Sequence, residues 1–230
     1  MYAVRYQEIW KAVTSACERV GRHASEVTIV GVTKTVSTEA VIAAHRVGIT
    51  TFGENRVQEA APKIAALQAA DLNAQWHLIG HLQTNKAKKA IELFDVIQSV
   101  DSVRLAEQLQ RHAEALSRRV EIFAQVNTSG EGTKSGVTPA EAIHLARELA
   151  NFPNLWLRGF MTIGAFVNDH EVIRTGFRTL RQLAVEVAAL NLPGVKMSHL
   201  SMGMTNDFVI AIEEGSTMVR IGRAIFGERN

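Results

Sequence analysis

The sequence predicts one α/β domain, a single (β/α)8 barrel of the TIM type. Short β-branched runs alternate with alanine-rich amphipathic segments along the chain, and eight such runs can be distinguished. No low-complexity linker and no change in composition divides the 230 residues, so the domain is expected to cover 1–230. Hydrophobic residues make up 47% of the chain and aromatic residues only 6%, which indicates a sizeable and mainly aliphatic core.

A leading helix packed on the barrel is expected first, within residues 1–22, because apolar side chains of 5–21 recur at helical spacing. Eight strands are expected at Val27–Thr33, Thr50–Phe52, His77–Gly80, Val96–Ser99, Glu121–Asn127, Leu155–Met161, Met197–Leu200 and Met218–Ile221. Helices are expected between them at 38–47, 56–69, 85–93, 102–117, 139–150, 170–190 and 206–214. The alternative, an open doubly wound sheet, needs a glycine-rich phosphate loop after its first strand, and Gly31-Val-Thr-Lys-Thr35 lacks that pattern.

Functional residues of such barrels cluster where the strands end. The segments that follow the expected strands are polar and rich in glycine: Lys34, Gly53–Asn55, His81–Gln83, Asp101, Asn127–Thr128, Met161–Thr162, Ser201–Gly203 and Gly222–Arg223. Loops are polar in most proteins, so this pattern alone is weak evidence. Two places go beyond it, the end of the first strand and the loops after the last two.

Lys34 lies at the end of the first expected strand, on the same face as Val30 and Val32. If the two valines fill the barrel, the lysine reaches its mouth, where partial desolvation favours the neutral, nucleophilic amine. Such lysines form Schiff bases with carbonyl compounds, among them pyridoxal 5′-phosphate (PLP). Position alone is equally compatible with a lysine that snorkels from a strand end or pairs with a carboxylate.

The loops after the last two strands have the features of a phosphate site. Ser201 offers a hydroxyl, and Gly203 and Gly222 allow backbone N–H groups to approach a ligand closely. In barrels, phosphate groups commonly bind between these two loops. The glycines are also compatible with turns alone, and Thr205 or Asn206 is expected to cap the helix that follows.

Arg220 has the parity of Met218 and Gly222, so its side chain is expected to point into the barrel. A buried guanidinium requires an anion or another acceptor. A cofactor's ring nitrogen or phosphate could provide it, and so could Asp207 or Glu213. Since arginine keeps its proton, an arginine that faces a pyridine nitrogen would leave that nitrogen unprotonated and PLP a weaker electron sink.

Taken together, seven stretches resemble the PLP homeostasis proteins, a family of small PLP-binding proteins related to the barrel domain of alanine racemase. They follow one another along nearly the whole chain with family-like spacing: Val30–Thr35, Phe52–Glu59, Trp76–Lys86, Ile97–Asp101, Gly159–Gly164, Leu200–Phe208 and Val219–Gly227. The resemblance implies a barrel like the alanine racemase N-terminal domain. One departure is that Lys34-Thr35 is followed by Val36-Ser37, where many members have a second lysine. Any role of that lysine, such as passing PLP on, is therefore not expected here.

The resemblance also implies the residues of the site. Lys34 would hold PLP as a Schiff base, and Arg220 would face the pyridine nitrogen. The other implied contacts are Asn55 beside the ring, Met161 in the pocket wall, and Ser201, Gly203, Gly222 and Arg223 around the phosphate. No metal site is expected, since His77 and His81 are four residues apart on a strand and its loop rather than on a helix.

The resemblance implies a role in intracellular PLP homeostasis, with PLP held without appreciable catalysis. The alternative is a PLP-dependent amino-acid racemase, which needs a second acid or base on the cofactor face opposite the lysine. In alanine racemases a tyrosine of an additional domain has this role, whereas the only tyrosines here, Tyr2 and Tyr6, precede the barrel. His81 or His199 could replace it, although packed or hydrogen-bonded histidines are more common.

The composition disfavours other classes of function. The net charge is +2, no nucleic-acid-binding motif is present, and Lys86, Lys88 and Lys89 are expected on a solvated helix face. With Cys17 as the only cysteine and no signal-peptide or membrane-spanning segment, a cytoplasmic protein without membrane contact is expected.

A monomer is expected, with apo PLP-dependent enzymes as candidate partners. Lys134 is expected to be a solvated loop lysine rather than a second PLP contact.

Overall fold

The computed structural model describes residues 1–227 and confirms the predicted closed barrel. Its eight parallel strands are β1 Thr28–Val32, β2 Thr51–Glu54, β3 Gln75–Leu78, β4 Val96–Val100, β5 Val120–Gln125, β6 Leu155–Met161, β7 Val195–Met204 and β8 Met218–Ile221. They pair in chain order, and β1 closes the barrel by pairing with β8. The last residues of the predicted domain, 228–230, lie outside the described part of the chain.

The helices surround the barrel. They are α1 Tyr2–Arg19, α2 Thr38–Arg46, α3 Val57–Ala69, α4 Ala87–Leu93, α5 Val103–Ala115, α6 Pro139–Leu149, α7 His170–Ala189, α8 Phe208–Glu213 and α9 Arg223–Phe226. The leading helix α1 begins and ends slightly earlier than predicted, and it buries Ile9, Val13, Ala16 and Cys17 in the outer core. None of the helices within residues 1–227 combines the length and the apolar composition needed to cross a membrane.

Two layers of apolar side chains form the core. The larger layer lies between the strands and the helices. The smaller one fills the barrel and consists of Val30, Val96, Phe123, Met161 and Met218. Along β1, Val30 belongs to this inner cluster, whereas a Cβ at Gly31 would meet Phe52 of the outer layer. The inward parity predicted for Lys34 follows from this alternation.

The seventh strand is longer than predicted. It was expected at 197–200, but it continues to Met204, so Ser201 belongs to a strand rather than to a loop. Ser201 pairs with Met218 and Met204 pairs with Arg220, with a shift of register between them. The prediction was wrong because serine followed by glycine is typical of turns, whereas here the glycine forms a bulge within a strand.

Gly203 makes this bulge possible. Its φ of +94° lies in the left-handed region, which side chains with a Cβ rarely adopt. A Cβ at this position would also lie only 2.6 Å from the Cβ of Ala211 on α8. The glycine thus lets β7 and α8 pack closely at the end of the barrel.

The beginning of α8 also differs from the prediction. The sequence suggests Thr205 or Asn206 as its cap, but the N-cap is Asp207 and the helix begins at Phe208. The Asp207 carboxylate accepts a hydrogen bond of 2.6 Å from the N–H of Met204, which closes a turn before the helix can start. The short helix α9 was not predicted, because four residues are too few to show a helical period.

Candidate functional site

A cavity of about 540 Å³ opens at the end of the barrel where the strands finish, the place predicted for a site. Five of the eight predicted site residues line it: Lys34, Asn55, Arg220, Gly222 and Arg223. They come from β8 and from the segments that follow β1, β2 and β8, which are neighbouring strands in the barrel. The amine and two arginines therefore share one cavity.

Lys34 reaches the cavity from the turn after β1. The residue is half-buried, and Val32, which has the same parity, also lines the cavity. The chain turns immediately after it, since the N–H of Val36 donates to the carbonyl oxygen of Thr33 at 2.9 Å and Thr35 has a φ of +61°. Lys34 therefore projects from a tight and hydrogen-bonded segment.

A buried ion pair supports this turn from behind the barrel wall. Glu54, at the end of β2, and Lys63, on α3, are 0% and 5% exposed and form a hydrogen-bonded salt bridge. Lys63 Nζ also donates to the carbonyl oxygen of Thr33 at 2.7 Å, and Thr33 Oγ1 donates to the Glu54 carboxylate at 2.8 Å. The pair thereby fixes the backbone directly before Lys34.

This pair is not predicted from the sequence, although one signal for it is present. Lys63 falls in the apolar stripe of α3, at helical spacing from Ala60, Ile64 and Leu67, and that spacing indicates burial. Its partner Glu54 comes from another element, and no local pattern relates the two positions.

Asn55 is positioned by the same carboxylate. Its N–H donates to Oε2 of Glu54 at 3.1 Å. Its backbone also packs against Gly80, where a Cβ would lie 2.4 Å from the carbonyl oxygen of Asn55, so that only glycine permits this approach. One buried carboxylate therefore holds the backbone beside two of the predicted site residues, Lys34 and Asn55.

Arg220 forms the floor of the cavity. It is 4% exposed, and its guanidinium donates to Ser201 Oγ and to the carbonyl oxygen of Thr162, both at 2.7 Å. Burial lowers its pKa to about 10, against the opposing effect of the Asp207 charge. Neither protein partner suggested by the sequence bonds to the guanidinium: Asp207 acts only through its charge, and Glu213 pairs with arginines outside the barrel. The suggested contact with a cofactor stays a prediction.

Ser201 lies below Arg220 and is not part of the cavity wall. Its hydroxyl accepts from Arg220 and donates to Oε1 of Gln98 at 2.6 Å. The Gln98 amide nitrogen in turn donates to Nδ1 of His77 at 2.6 Å. Four side chains from β8, β7, β4 and β3 thus form a continuous chain across the barrel, and the predicted contact of Ser201 with a phosphate stays a prediction.

Met161 and Gly203 also lie away from the cavity wall. Met161 is fully buried in the apolar cluster inside the barrel. Gly203 is buried in the bulge of β7, against α8. Their implied contacts with a cofactor likewise stay predictions.

The loop after β6 forms the solvent side of the cavity, and its Phe166 is 86% exposed. Lys134, expected to be solvated, instead ties the loop after β5 to it. Lys134 Nζ donates to the carbonyl oxygen of Gly164 at 2.7 Å and to the carboxylate of Glu131 at 2.6 Å. The Lys134 side chain is only 17% exposed, so that expectation was wrong.

Two further acid–base groups line the cavity, and the sequence analysis assigned neither to the site. Asp207 is buried, and burial raises the pKa of its carboxyl, against the opposing effects of the Met204 N–H and of Arg220. His170 is exposed at the start of α7. Within residues 1–227, no group of three or more histidine, cysteine, aspartate or glutamate side chains is suited to hold a metal ion.

The residues considered as a second racemase base lie elsewhere. His81 is exposed and sits 3.6 Å from the carboxylate of Asp101. His199 stacks on Phe123 with 5.6 Å between the ring centroids. The two tyrosines both lie on α1, and no tyrosine lines the cavity in the described part of the chain.

His77 predicts a pH dependence of folding. Burial lowers the pKa of its imidazole from 6.5 to about 3, and His199 adds to the shift. In that interval the unfolded chain binds one more proton here than the folded protein, so acidification lowers the free energy of unfolding by about 1.4 kcal/mol per pH unit. The free energy of unfolding is measured with urea at several pH values between about pH 6 and pH 4. Its slope against pH is expected to be smaller by this amount in His77→Leu than in the native protein. The exposed His144, replaced by glutamine, is the control, and equal slopes in His77→Leu and the native protein would contradict the assignment.

Comparison with known proteins places the chain in a family. The family described as alanine racemase, N-terminal domain, matches residues 10–230. The pyridoxal phosphate homeostasis protein of Aquifex aeolicus is 40% identical over 225 residues, which cover 98% of this chain and 97% of that protein. The chain belongs to the pyridoxal phosphate homeostasis proteins.

Solved structures agree with this family. PipY of Synechococcus elongatus PCC7942, solved with PLP bound, is 34% identical with a TM-score of 0.84, and the match covers 99% of this chain and 100% of PipY. An alanine racemase of Clostridium difficile 630 is 14% identical with a TM-score of 0.71, covering 96% of this chain and 56% of the racemase. The second match shows only that the two proteins share the barrel. It confirms the alanine racemase-like fold that the sequence predicts.

Proposed function

We propose that this protein binds PLP in the cavity, covalently through Lys34, and that it serves intracellular PLP homeostasis without appreciable catalysis. One observation carries the proposal: Lys34 lines the same cavity as Arg220, Gly222 and Arg223 at the end of β8. PLP joins an aldehyde to an anionic phosphate, so its site needs an amine and, within one small molecule's length, cations or N–H donors. The PLP bound to PipY supports this choice of ligand.

PLP would supply an aldehyde carbon with which the neutral Lys34 amine can condense. The Lys34 amine would form a carbon–nitrogen double bond to that carbon, and the aldehyde oxygen would leave as water with the two hydrogens of the amine. Lys34 is half-buried and lines the cavity, so its side chain is within reach of a small molecule bound there. The buried Glu54–Lys63 pair keeps the backbone beside Lys34 in place.

The other cavity residues would bind and orient the cofactor. Gly222 offers backbone N–H access and Arg223 a guanidinium for the phosphate, while Asn55 would lie beside the ring. Arg220, whose pKa is about 10, stays protonated at neutral pH and can only donate to a ring nitrogen. The ring nitrogen would then stay unprotonated, which weakens PLP as an electron sink.

Non-catalytic retention is supported by the surroundings of the site. No tyrosine lines the cavity within residues 1–227, and the loop on its solvent side is exposed at Phe166. The first feature means that the type of base used by alanine racemases is not seen there, and the second leaves the site open to water, so both disfavour the racemase alternative. The family name of the relatives supports the homeostasis role.

The remaining parts of the proposal concern location and partners. We propose a reducing compartment, the cytoplasm, because the single cysteine, Cys17, is buried and free. Apo PLP-dependent enzymes are the proposed recipients of released PLP. A monomer is the proposed state, since one barrel holds every proposed cofactor contact.

Exchange of the α-hydrogen of amino acids tests the non-catalytic role. The PLP-loaded protein is incubated with a panel of L-amino acids in heavy water, and deuterium at the α-carbon is measured by mass spectrometry. Exchange no faster than with the same concentration of free PLP is expected, because no tyrosine lines the cavity within residues 1–227 and the ring nitrogen would face a cation that keeps its proton.

Two additions make this experiment decisive. Lys34→Ala loaded under the same conditions corrects for exchange by unbound PLP. Dialysis of the loaded native protein against an apo PLP-dependent enzyme then measures whether PLP is released and taken up. Fast exchange above the free-PLP rate with any amino acid would overturn the carrier role in favour of an enzyme.

A further inference from the structure

We infer that Gln98 is a positioning residue, which fixes the guanidinium of Arg220 in the cavity floor through the hydroxyl of Ser201. The inference rests on the proposed function in one respect, namely that Arg220 faces bound PLP. Gln98 itself lies off the cavity wall and cannot touch a ligand there. It would act on the cofactor only through the two residues above it.

With the Gln98 amide oriented as it is, the hydrogen bonds along this row of four side chains all run in one direction. Arginine can only donate, so Ser201 Oγ accepts from Arg220 Nη1 at 2.7 Å. The serine proton is then directed to Oε1 of Gln98 at 2.6 Å. An amide nitrogen also only donates, so Nδ1 of His77 accepts from Gln98 at 2.6 Å. Each member therefore determines the orientation of the one before it.

The side-chain amide of Gln98 has partners at both ends. Its amide nitrogen donates to His77 Nδ1 and, at 3.0 Å, to the Met218 sulfur, while its oxygen accepts from Ser201. With His77 in the tautomer whose Nδ1 accepts, flipping the amide would place two donors against Ser201 and an oxygen against that nitrogen, and it would withdraw the donor from the Met218 sulfur. Gln98 and Ser201 are 0% exposed and His77 is 1% exposed, so water offers no replacement partner.

This arrangement makes Ser201 a fixed acceptor for Arg220. Its one proton is donated to Gln98, so the hydroxyl does not turn that proton towards Arg220. Without an acceptor at position 98, the hydroxyl can rotate, and the guanidinium keeps only the carbonyl oxygen of Thr162 as a defined partner. Arg220 would then be free to change its position in the floor.

Three variants separate positioning from general stability. Gln98→Leu removes the acceptor, whereas Gln98→Glu keeps an oxygen for the Ser201 hydroxyl whether or not the carboxyl is ionised. Ser99→Ala is the matched control, because Ser99 lies on the same strand, is 0% exposed and its hydroxyl has no hydrogen-bond partner. For each, the PLP dissociation constant, the pH midpoint of the visible band of the loaded protein, and urea unfolding without PLP are measured.

We expect Gln98→Leu to raise the PLP dissociation constant about tenfold, an effect within the range for one member of a coupled buried network. The pH midpoint of the visible band is expected to shift as well, since the charge beside the ring nitrogen moves. Gln98→Glu is expected to recover most of the affinity even if its stability falls, and Ser99→Ala to match the native protein in both PLP measurements. Affinity and midpoint that merely follow the unfolding free energy across the variants would overturn the inference.

A crystal structure of PLP-free Gln98→Leu tests the positioning independently of the cofactor. The Arg220 guanidinium is expected to leave its place between Ser201 Oγ and the Thr162 carbonyl oxygen. An unmoved guanidinium would refute the role of Gln98, whatever the protein binds. If the guanidinium moves but the native protein shows no visible band with PLP, the proposed function fails while the positioning role stands.

Discussion

Replacing Lys34 by alanine is expected to abolish the visible absorbance that PLP acquires on binding and to weaken PLP binding at least about tenfold, a loss of at least about 1.4 kcal/mol. The reason is that Lys34 is the amine placed in the cavity beside Arg220 and Arg223. Lys34→Arg keeps the positive charge but cannot condense with an aldehyde, so it is expected to lose the band while retaining part of the affinity. Absorbance titration and equilibrium dialysis with PLP measure the two effects.

Lys134→Ala is the matched control for this prediction. Lys134 is the lysine that ties down the loop on the solvent side of the cavity, through Gly164 and Glu131. The proposal expects the band to persist in this variant. A band that survives in Lys34→Ala, or that disappears in Lys134→Ala while Lys34 is intact, would show that the condensing amine has been assigned to the wrong residue.

The largest effect on stability is expected at Lys63. Lys63→Met leaves Glu54 buried without its cation and removes the donor to the Thr33 carbonyl oxygen. Breaking a buried pair from one side costs about 3–5 kcal/mol in the free energy of unfolding, because the remaining charge stays uncompensated. Urea unfolding measures this loss, and PLP binding is expected to weaken too, since the backbone before Lys34 loses its support.

Two comparisons identify the cause of that loss. Lys89→Met removes an exposed lysine of a 2.9 Å pair with Glu92, and it is expected to change the free energy of unfolding by no more than about 0.5 kcal/mol. The double variant Glu54→Leu/Lys63→Met removes both charges and is expected to recover part of the stability lost in Lys63→Met. A loss in Lys63→Met as small as that in Lys89→Met would contradict a structural role of the buried pair.

The sequence was sufficient for the fold because the alternation of strands and helices is a local property repeated eight times. It also located Lys34 and Arg220, since the parity of a strand states which side chains face the barrel. It failed at β7, where a serine–glycine step was interpreted as a turn although Gly203 forms a bulge. A bulge and a turn can both require a residue with a positive φ, and glycine meets that requirement in either. Only the pairing of β7 with β8 distinguishes the two structures here.

The supporting parts of the site lay beyond the sequence for another reason. Gln98 lies in β4, and its position inside the barrel follows from the parity of Val96, but its partners come from three other strands. The same is true of Glu54 and Lys63, which meet across two elements. Such contacts depend on the closure of the barrel, so the sequence predicts the residues that line the cavity better than the residues that hold them in place.

Reduction of the PLP-loaded native protein with borohydride, followed by peptide mass spectrometry, tests the central claim most directly. Borohydride converts a Schiff base into a stable secondary amine and so marks the lysine that carries the cofactor. The account predicts one modified peptide, the one that contains Lys34, and none in Lys34→Ala. A stoichiometric adduct on a different lysine, or none at all on protein saturated with PLP, would contradict it.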